Sequence, residues 1–122
     1  MEVNDGSVVS QRIPYVPVTV EIPELAVRLS VDALVDTGFT GEVVLPAGSV
    51  TAPASVLERL TLELADGSRI TAPTYIGLVR IGDRSVDPVR VYMLGDEPII
   101  GLGVATQFRV VIDHDQSISF SP

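Results

Sequence analysis

The chain has 122 residues, 46% of them hydrophobic, and its eight arginines against sixteen acidic residues give a formal charge of −8. A globular chain of this length buries roughly two thirds of the surface that its unfolded form exposes, so we expect one domain with its own core. The absence of cysteine excludes a disulfide framework, a thiol nucleophile and a thiolate metal site. His114 is the only histidine, which excludes a histidine-rich metal cluster and leaves a Ser/His/Asp triad a single candidate base.

Charge and hydropathy also narrow the partners and the location. An acidic chain with scattered arginines and no lysine repels phosphate backbones, so we expect no nucleic-acid partner. The first residues include Glu2 and Asp5 where a secretory signal has a positive region, and no apolar run approaches the roughly 18 residues of a membrane span. These features predict a soluble, cytoplasmic protein that does not engage a membrane.

Frequent Val, Ile and Thr, with Pro and Gly spread along the chain, predict a mostly β fold of many short strands. Residues 13–22 alternate in places, but Pro14 and Pro17 lack amide donors. This segment is therefore predicted to be an edge strand or an N-terminal arm. Residues 25–35 alternate between apolar and polar, which predicts a strand that delivers the chain to Asp36.

Shorter elements follow. An apolar strand is predicted over 42–45, and residues 53–60 fit one or two helical turns that begin at a proline. The Asp66-Gly67 pair within 62–70 lies between extended segments, which is a strong signal for a two-residue hairpin turn.

The C-terminal half continues the same pattern without a linker or repeat. Its predicted elements are strands over 75–81 and 86–94, a short helix over 102–108, and strands over 109–113 and 117–120. His114 falls in the last turn between two aspartates, and we interpret it as a solvated residue rather than a metal ligand or a catalytic base.

One triplet carries candidate chemistry. Asp36, Thr37 and Gly38 directly follow the apolar strand. Gly38 permits close backbone approach to the carboxylate, and the Thr37 hydroxyl is able to bond inward and hold the loop. The same triplet suits an ordinary turn between strands, so on its own it favours a structural role.

A longer comparison favours the catalytic role. Residues 34–46, with the run Asp-Thr-Gly-Phe-Thr-Gly, resemble the catalytic segment of retropepsin-like aspartic proteases, in particular the small prokaryotic proteins with this signature. Residues 64–68 stand where that family carries its flap hairpin, and residues 99–101 resemble the element before its C-terminal helix. The resemblance implies a mostly β, single-domain closed barrel with one short C-terminal helix over 25–122, preceded by an arm and edge strand over 1–24.

The resemblance also implies roles for individual residues. Asp36 is the implied catalytic residue, in an active-site loop with Thr37 and Gly38. The residues implied to bind substrate are Phe39, Thr40, Ala65, Asp66, Gly67 and Ile100, and no metal or cofactor is implied. Leu102 and Gly103 depart from the retroviral pattern, which has polar residues there, so we expect the loop to be braced differently. The glycines within 101–103 superficially resemble a dinucleotide-binding loop, but no βαβ pattern follows them, which argues against that function.

The chemistry of carboxylates sets the expected assembly. Amide hydrolysis needs one ionised carboxylate to take a proton from water and one protonated carboxyl to polarise the scissile carbonyl. Two carboxyls in close contact share one proton and titrate as a pair. Because the chain has one Asp-Thr-Gly, the second aspartate must come from an identical chain across a two-fold axis. The sequence thus predicts a homodimeric aspartic endopeptidase acting on a peptide or protein.

Two other functions remain open from the sequence. The same groove and flap would bind an extended strand without cleaving it, as a dimerisation or peptide-binding module with little or no turnover. A non-enzymatic barrel domain would be a monomer in which replacing Asp36 has no functional effect. Peptide cleavage that depends on Asp36, together with a dimer by sedimentation, separates the protease from both.

Overall fold

The structure is a computed structural model that describes residues 6–50, 58–63 and 66–122. In chain order its elements are β1 Val8–Ser10, β2 Tyr15–Ile22, a 3-10 helix Pro23–Leu25, β3 Val27–Val35, β4 Val43–Leu45, β5 Glu58–Glu63, β6 Arg69–Ile81, β7 Arg84–Met93, β8 Ile99–Ile100, α1 Leu102–Ala105, β9 Arg109–Asp113 and β10 Ser117–Ser121. In the ranges given, no helix has the length and apolar character needed to cross a membrane.

Six strands close into a barrel. Hydrogen-bonded neighbours follow the order β2-β3-β8-β4-β7-β6, and β6 pairs again with β2, where Val20 lies opposite Val79. Strand β5 extends the sheet beyond this closure by pairing with β6, and β1, β10 and β9 form a separate three-stranded sheet. The closed barrel, the high strand content and the one short α-helix among the described residues confirm the predicted fold class.

The core fills the barrel because alternate residues of each strand point inward. The inward residues of β2 are fully or almost fully buried: Val16, Val18, Val20 and Ile22. The aromatic rings of Phe108 and Phe120 meet edge to face, with centroids 5.5 Å apart. Ile118 and Phe120 of β10 are buried in the same core cluster as the barrel residues, and this packing anchors the three-stranded sheet to the barrel.

The prediction that 13–22 forms an edge strand or arm is wrong for β2. This strand pairs with β3 along its whole length and with β6 through Thr19 to Glu21, so it helps to close the barrel. The Val35 amide donates to the Pro14 carbonyl, so the backbone amides and carbonyls of the even-numbered residues of β2 point toward β3. The backbone polar groups at Pro17 point away from β3. Pairing with β6 begins only at Thr19, so the missing amide of Pro17 interrupts no ladder.

Two helix predictions also need correction. Helix α1 ends at Ala105 rather than at 108, because the amides of Gln107 and Phe108 donate to carbonyls three residues back in tight turns. Of the helical turns predicted over 53–60, residues 58–60 belong to strand β5, and 53–57 lie outside the described residues. The hairpin predicted around Asp66-Gly67 is confirmed by the antiparallel pairing of β5 with β6, and β6 forms a second hairpin with β7.

Candidate active site

Asp36 immediately follows β3, at the point where the parallel pairing of β3 with β8 ends. Its amide donates to the carbonyl of Ile100 (3.0 Å), and its carbonyl accepts from the amide of Phe39 (3.2 Å). The amide of Gly38 donates to Oδ1 of Asp36 (2.9 Å). These bonds hold a half-buried carboxylate in one orientation at the end of a rigid strand.

Backbone hydrogen bonds also brace the rest of the loop over 36–42. Three consecutive amides at the start of α1 donate to loop carbonyls: Gly101 to Glu42 (2.9 Å), Leu102 to Phe39 (2.8 Å) and Gly103 to Gly41 (2.9 Å). These bonds use main-chain atoms alone, so the apolar Leu102 and the side-chain-free Gly103 suffice at these two positions. The bracing comes from the main chain.

This close approach depends on glycine. A Cβ on Gly101 would lie 2.3 Å from the carbonyl oxygen of Gly41, and a Cβ on Gly103 would lie 2.7 Å from Cγ of Glu42. The first contact is with backbone, which has no room to move without breaking the loop's hydrogen bonds. The two glycines on either side of Leu102 are visible in the sequence, but only the fold shows that they pack against the loop over 36–42.

Thr37 and Gly38 complete the predicted active-site loop. Both residues are exposed, and among the described residues the Thr37 hydroxyl has no hydrogen-bond partner. A Cβ on Gly38 would lie 3.2 Å from Oδ1 of Asp36, which is close enough that one of the two would have to shift slightly. The loop thus leaves the Thr37 hydroxyl and part of the Asp36 carboxylate accessible to solvent, to a substrate or to a second chain.

Phe39 is folded back onto the loop. Its ring meets Tyr92 edge to face, with centroids 5.9 Å apart and planes at 77°. The ring also covers two glycines: a Cβ on Gly41 would lie 2.3 Å from Cζ of Phe39, and one on Gly101 would lie 2.6 Å from Cδ2. The absence of side chains at Gly41 and Gly101 creates the space in which the ring sits.

Two cavities meet at Phe39. The smaller one, about 200 Å³, places Asp36 among the apolar side chains of Phe39, Val44, Leu62, Leu94 and Ile99. The larger one, about 710 Å³, has a polar lining that includes Thr40, Glu42, Thr61, Glu63 and Arg90. A third cavity of about 500 Å³ lies against β2 and β3 and shares no lining residue with these two. Only the smaller cavity contains the carboxylate of the candidate motif, so it is the centre of the site.

The structure distributes the predicted substrate-binding residues unevenly. Phe39 lines both cavities, and the exposed Thr40 lines the larger one. Ile100 is completely buried in the barrel core, so the prediction that it contacts substrate is wrong. Strand alternation turns its neighbour Ile99 into the smaller cavity instead.

The hairpin residues lie farther out. Asp66 and Gly67 form the exposed tip between β5 and β6, and neither lines the two cavities; Ala65 lies outside the described residues. Gly67 has φ +86°, the left-handed conformation that favours glycine in such turns. The hydroxyl (2.6 Å) and amide (2.9 Å) of Ser68 donate to Oδ1 of Asp66, and these bonds lower the pKa of that carboxyl.

Strand β5 contributes residues that the sequence did not single out. Leu62 and Glu63 line both cavities, beside Gly38 and Phe39. The hairpin prediction placed these residues on a strand but did not identify which loop that strand would face. Pairing of β5 with β6, at the open margin of the sheet, brings them over the loop after β3.

Metal-ligating side chains are dispersed over the part of the chain that the structure describes. In those ranges no group of three or more His, Asp or Glu side chains is placed to hold a metal ion. His114 is exposed in the turn before β10, with Nδ1 2.7 Å from Oδ1 of Asp113. It lines neither of the cavities beside Phe39.

Comparison with known proteins finds similar solved structures. No family model and no curated protein matches the sequence. A retropepsin-like aspartic protease from Rickettsia conorii superposes with a TM-score of 0.59 over 94% of this chain and 89% of its own, at 16% identity. A protein of unknown function (DUF785) from Legionella pneumophila gives a TM-score of 0.50 over 81% of this chain and 88% of its own, at 17% identity. The chain therefore has a retropepsin-like fold.

Proposed function

We propose that this chain is one half of a homodimeric aspartic endopeptidase, in which each protomer supplies Asp36 to a shared pair of carboxyls. The observation that carries the proposal is the setting of Asp36: its Oδ1 accepts from the amide of Gly38, and its side chain lines a mostly apolar cavity of about 200 Å³ that Glu63 also lines. A carboxylate held by backbone and presented to a mostly apolar cavity is suited to proton transfer at a bound substrate. The retropepsin-like fold supports the same reading.

The need for a second chain follows from the chemistry. The reaction uses two carboxyls in contact, one ionised and one protonated. The chain has one Asp-Thr-Gly, and the loop exposes Thr37, whose hydroxyl lacks a partner among the described residues. In the proposed dimer, two copies of this loop face each other across a two-fold axis, and the Thr37 hydroxyls bond across the interface.

The proposed reaction balances without any added group. The ionised Asp36 takes a proton from water as the water oxygen adds to the scissile carbonyl carbon. The protonated carboxyl of the second copy gives its proton to the carbonyl oxygen. When the resulting tetrahedral diol collapses, the C–N bond breaks and the leaving nitrogen takes the proton now held by Asp36. The ionised carboxyl of the second copy takes the proton of a diol hydroxyl, so the products are an amine and a carboxylic acid and the pair is singly protonated again.

Substrate binding is assigned to the walls of the two cavities and to the hairpin of β5 and β6. An extended peptide would lie between the loop after β3 and strand β5, with Phe39 and Thr40 beneath it. The tip at Asp66-Gly67, with Ala65 before it, would close over the peptide and exclude water from the reacting bond.

Peptide cleavage by the purified chain tests this function. We expect a wild-type dimer in sedimentation experiments and cleavage of extended apolar peptides, followed by mass spectrometry. The Asp36→Asn variant should fold and remain dimeric but lose cleavage, because Asn cannot take or give the proton. Peptide binding without any product over a broad pH range would instead identify a binding module, and residual cleavage by Asp36→Asn would refute the assignment of Asp36.

A further inference from the structure

We infer that the hydrogen bond between Tyr15 and Glu97 is a clasp across the end of β3 that positions Asp36. Neither residue lines the two cavities beside Phe39, so both are positioning residues that act on the site through β3. The inference rests on the proposed function only for its catalytic consequence, since the clasp itself is a feature of the fold.

The end of β3 is held from both sides by segments that lead into the neighbouring strands. The amide of Leu34 donates to the carbonyl of Pro98 (2.9 Å), directly before β8. The amide of Val35 donates to the carbonyl of Pro14 (2.8 Å), directly before β2. Asp36 is the next residue of the chain, so its position depends on both segments staying against β3.

One side-chain hydrogen bond joins these two segments. The hydroxyl of Tyr15 donates to Oε2 of Glu97 at 2.8 Å, and the two half-buried residues are 82 positions apart in the sequence. This bond is the largest cause of the raised pKa of Tyr15, which therefore stays protonated and acts as the donor. Because Tyr15 follows Pro14 and Glu97 precedes Pro98, the bond completes a closed set of contacts around the end of β3.

The aromatic ring of Tyr15 is itself held in place. The guanidinium of Arg12 lies over it, with Cζ 4.3 Å from the ring centroid. Arg12 also pairs with Asp32 of β3, with Nη1 3.3 Å from Oδ2, and its carbonyl accepts the amide of Tyr15 (2.7 Å). These contacts restrict the tyrosine before it meets Glu97, so little further conformational entropy is lost when the hydrogen bond forms.

The clasp also reaches the cavity that Asp36 lines. Tyr15, Leu34 and Ile99 are partners in register across β2, β3 and β8, so their side chains project from one face of the sheet. Ile99 lines the cavity with Asp36, and the carbonyl of the next residue, Ile100, accepts the Asp36 amide. Opening the clasp would therefore loosen both β8 and the carboxylate, and a misplacement of about 1 Å can cost about 100-fold in rate.

Four variants test the clasp. Tyr15→Phe removes only the hydroxyl, whereas Glu97→Gln keeps an oxygen that accepts the bond. Glu97→Ala removes the acceptor, and it takes the place of Tyr15→Phe if that variant fails to fold by circular dichroism. Ser30→Ala is the matched control, because it removes a hydroxyl contact between β2 and β3, that of Thr19 with Ser30 (3.1 Å), outside both cavities beside Phe39.

Amide hydrogen exchange, followed by NMR, measures the opening of the clasp without requiring activity. In Tyr15→Phe the amides of 34–36 should exchange at least about tenfold faster than in wild type, while those of β7 stay within about threefold. In Glu97→Gln and Ser30→Ala the amides of 34–36 should stay within about threefold of wild type. The amide resonance of Gly38, which donates to Oδ1 of Asp36, should shift in Tyr15→Phe and keep its position in Ser30→Ala.

Cleavage kinetics separate positioning of the carboxylate from a purely structural role. Tyr15→Phe should lower kcat for a cleaved peptide by about 5- to 20-fold and keep KM within about threefold, because the misplaced group is the reacting carboxylate. Glu97→Gln should restore kcat to within about threefold of wild type, since the hydrogen bond is retained.

The outcomes separate this inference from the proposed function. Unchanged exchange at 34–36 in folded Tyr15→Phe, or an acceleration shared equally by β7, would overturn the clasp. Local acceleration with an unmoved Gly38 resonance, or with an unchanged kcat in an active protein, would overturn the positioning of Asp36. A clasp confirmed by exchange and by the Gly38 resonance, in a wild-type protein that cleaves no peptide, would stand while the endopeptidase is refuted.

Discussion

The amide of Gly38 donates to Oδ1 of Asp36 at 2.9 Å, and through this bond the backbone of the loop orients the carboxylate. One oxygen is engaged by the chain's own backbone, while the carboxylate remains only half-buried and faces a cavity. The side chain is therefore pre-oriented before any substrate or second chain arrives, which is what a reacting carboxylate requires.

Gly38→Ala should reduce activity without unfolding the protein. The added Cβ would lie 3.2 Å from Oδ1 of Asp36, so the carboxylate or the loop must shift by a few tenths of an ångström. Because catalysis is sensitive to such displacement, we expect kcat/KM for a cleaved peptide to fall by about 10- to 100-fold. Gly48→Ala is the matched control, because its Cβ meets nothing within 4 Å. Equal activity in the two variants would contradict the role given to Gly38.

Gly101→Ala should destabilise the fold itself. Its Cβ would lie 2.3 Å from the carbonyl oxygen of Gly41, and that oxygen accepts the Gly103 amide that helps to brace the loop. We expect the free energy of unfolding, measured by urea denaturation, to fall by about 1–3 kcal/mol relative to Gly48→Ala. Unchanged stability would mean that the approach of α1 to the loop is looser than described.

Glu63→Gln distinguishes a shared pair of aspartates from a pair within one chain. Among the described residues that line this cavity, Glu63 is the carboxylate beside Asp36, and so it is the candidate partner within one chain. The dimer account predicts that Glu63→Gln keeps cleavage within about tenfold of wild type, whereas Asp36→Asn loses it, because in that account Glu63 lines the cavity and transfers no proton. Loss of cleavage in both variants would favour an Asp36–Glu63 pair.

Tyr75→Phe should leave stability unchanged or raise it. The side chain of Tyr75 is 1% exposed, and its hydroxyl has no hydrogen-bond partner in the described parts of the chain. A buried hydroxyl without a partner costs about 1–3 kcal/mol, and its removal restores some of that. Thermal unfolding measures the effect; a clear loss of stability would mean that the hydroxyl has a partner, such as a bound water.

The hairpin tip should carry a small pH dependence. The Ser68 hydroxyl, and then its amide, hold the pKa of Asp66 below its ordinary value by favouring the ionised form. The resulting stabilisation is present above the ordinary pKa of about 3.9 and is lost as pH falls through the lowered value. Side-chain NMR titration should show the depressed pKa, and Ser68→Ala should move it toward the ordinary value. An unmoved pKa would contradict this cause.

Local patterns predicted much of the architecture. Alternation in 25–35 and the Asp66-Gly67 signal placed strand β3 and the β5–β6 hairpin correctly, since both depend on neighbouring residues. The edge position expected for β2 was wrong because sheet position is set by pairing with β6, which is distant in sequence. The prolines fit there only because Pro17 points away from β3 and lies outside the segment paired with β6.

The site divides in the same way. Asp36 and its neighbours were identified from a contiguous run, whereas Leu62, Leu94 and Ile99 enter the site from three separate segments. The sequence analysis assigned substrate contact to Ile100, whereas its neighbour Ile99 lines the smaller cavity. Two adjacent isoleucines do not indicate which of them points into the barrel core. Such one-residue choices depend on register with β3 and β4, which only the fold supplies.

Mixing two versions of the chain tests the shared site most directly. Wild type at fixed concentration is mixed with increasing Asp36→Asn under conditions that allow subunit exchange, and peptide cleavage is followed. If each active site needs Asp36 from both chains, heterodimers are inactive, and cleavage should fall to about half at equal amounts and to about a quarter at threefold excess of the variant. Cleavage that stays constant as the variant is added, in a mixture shown to exchange subunits, would contradict the shared pair.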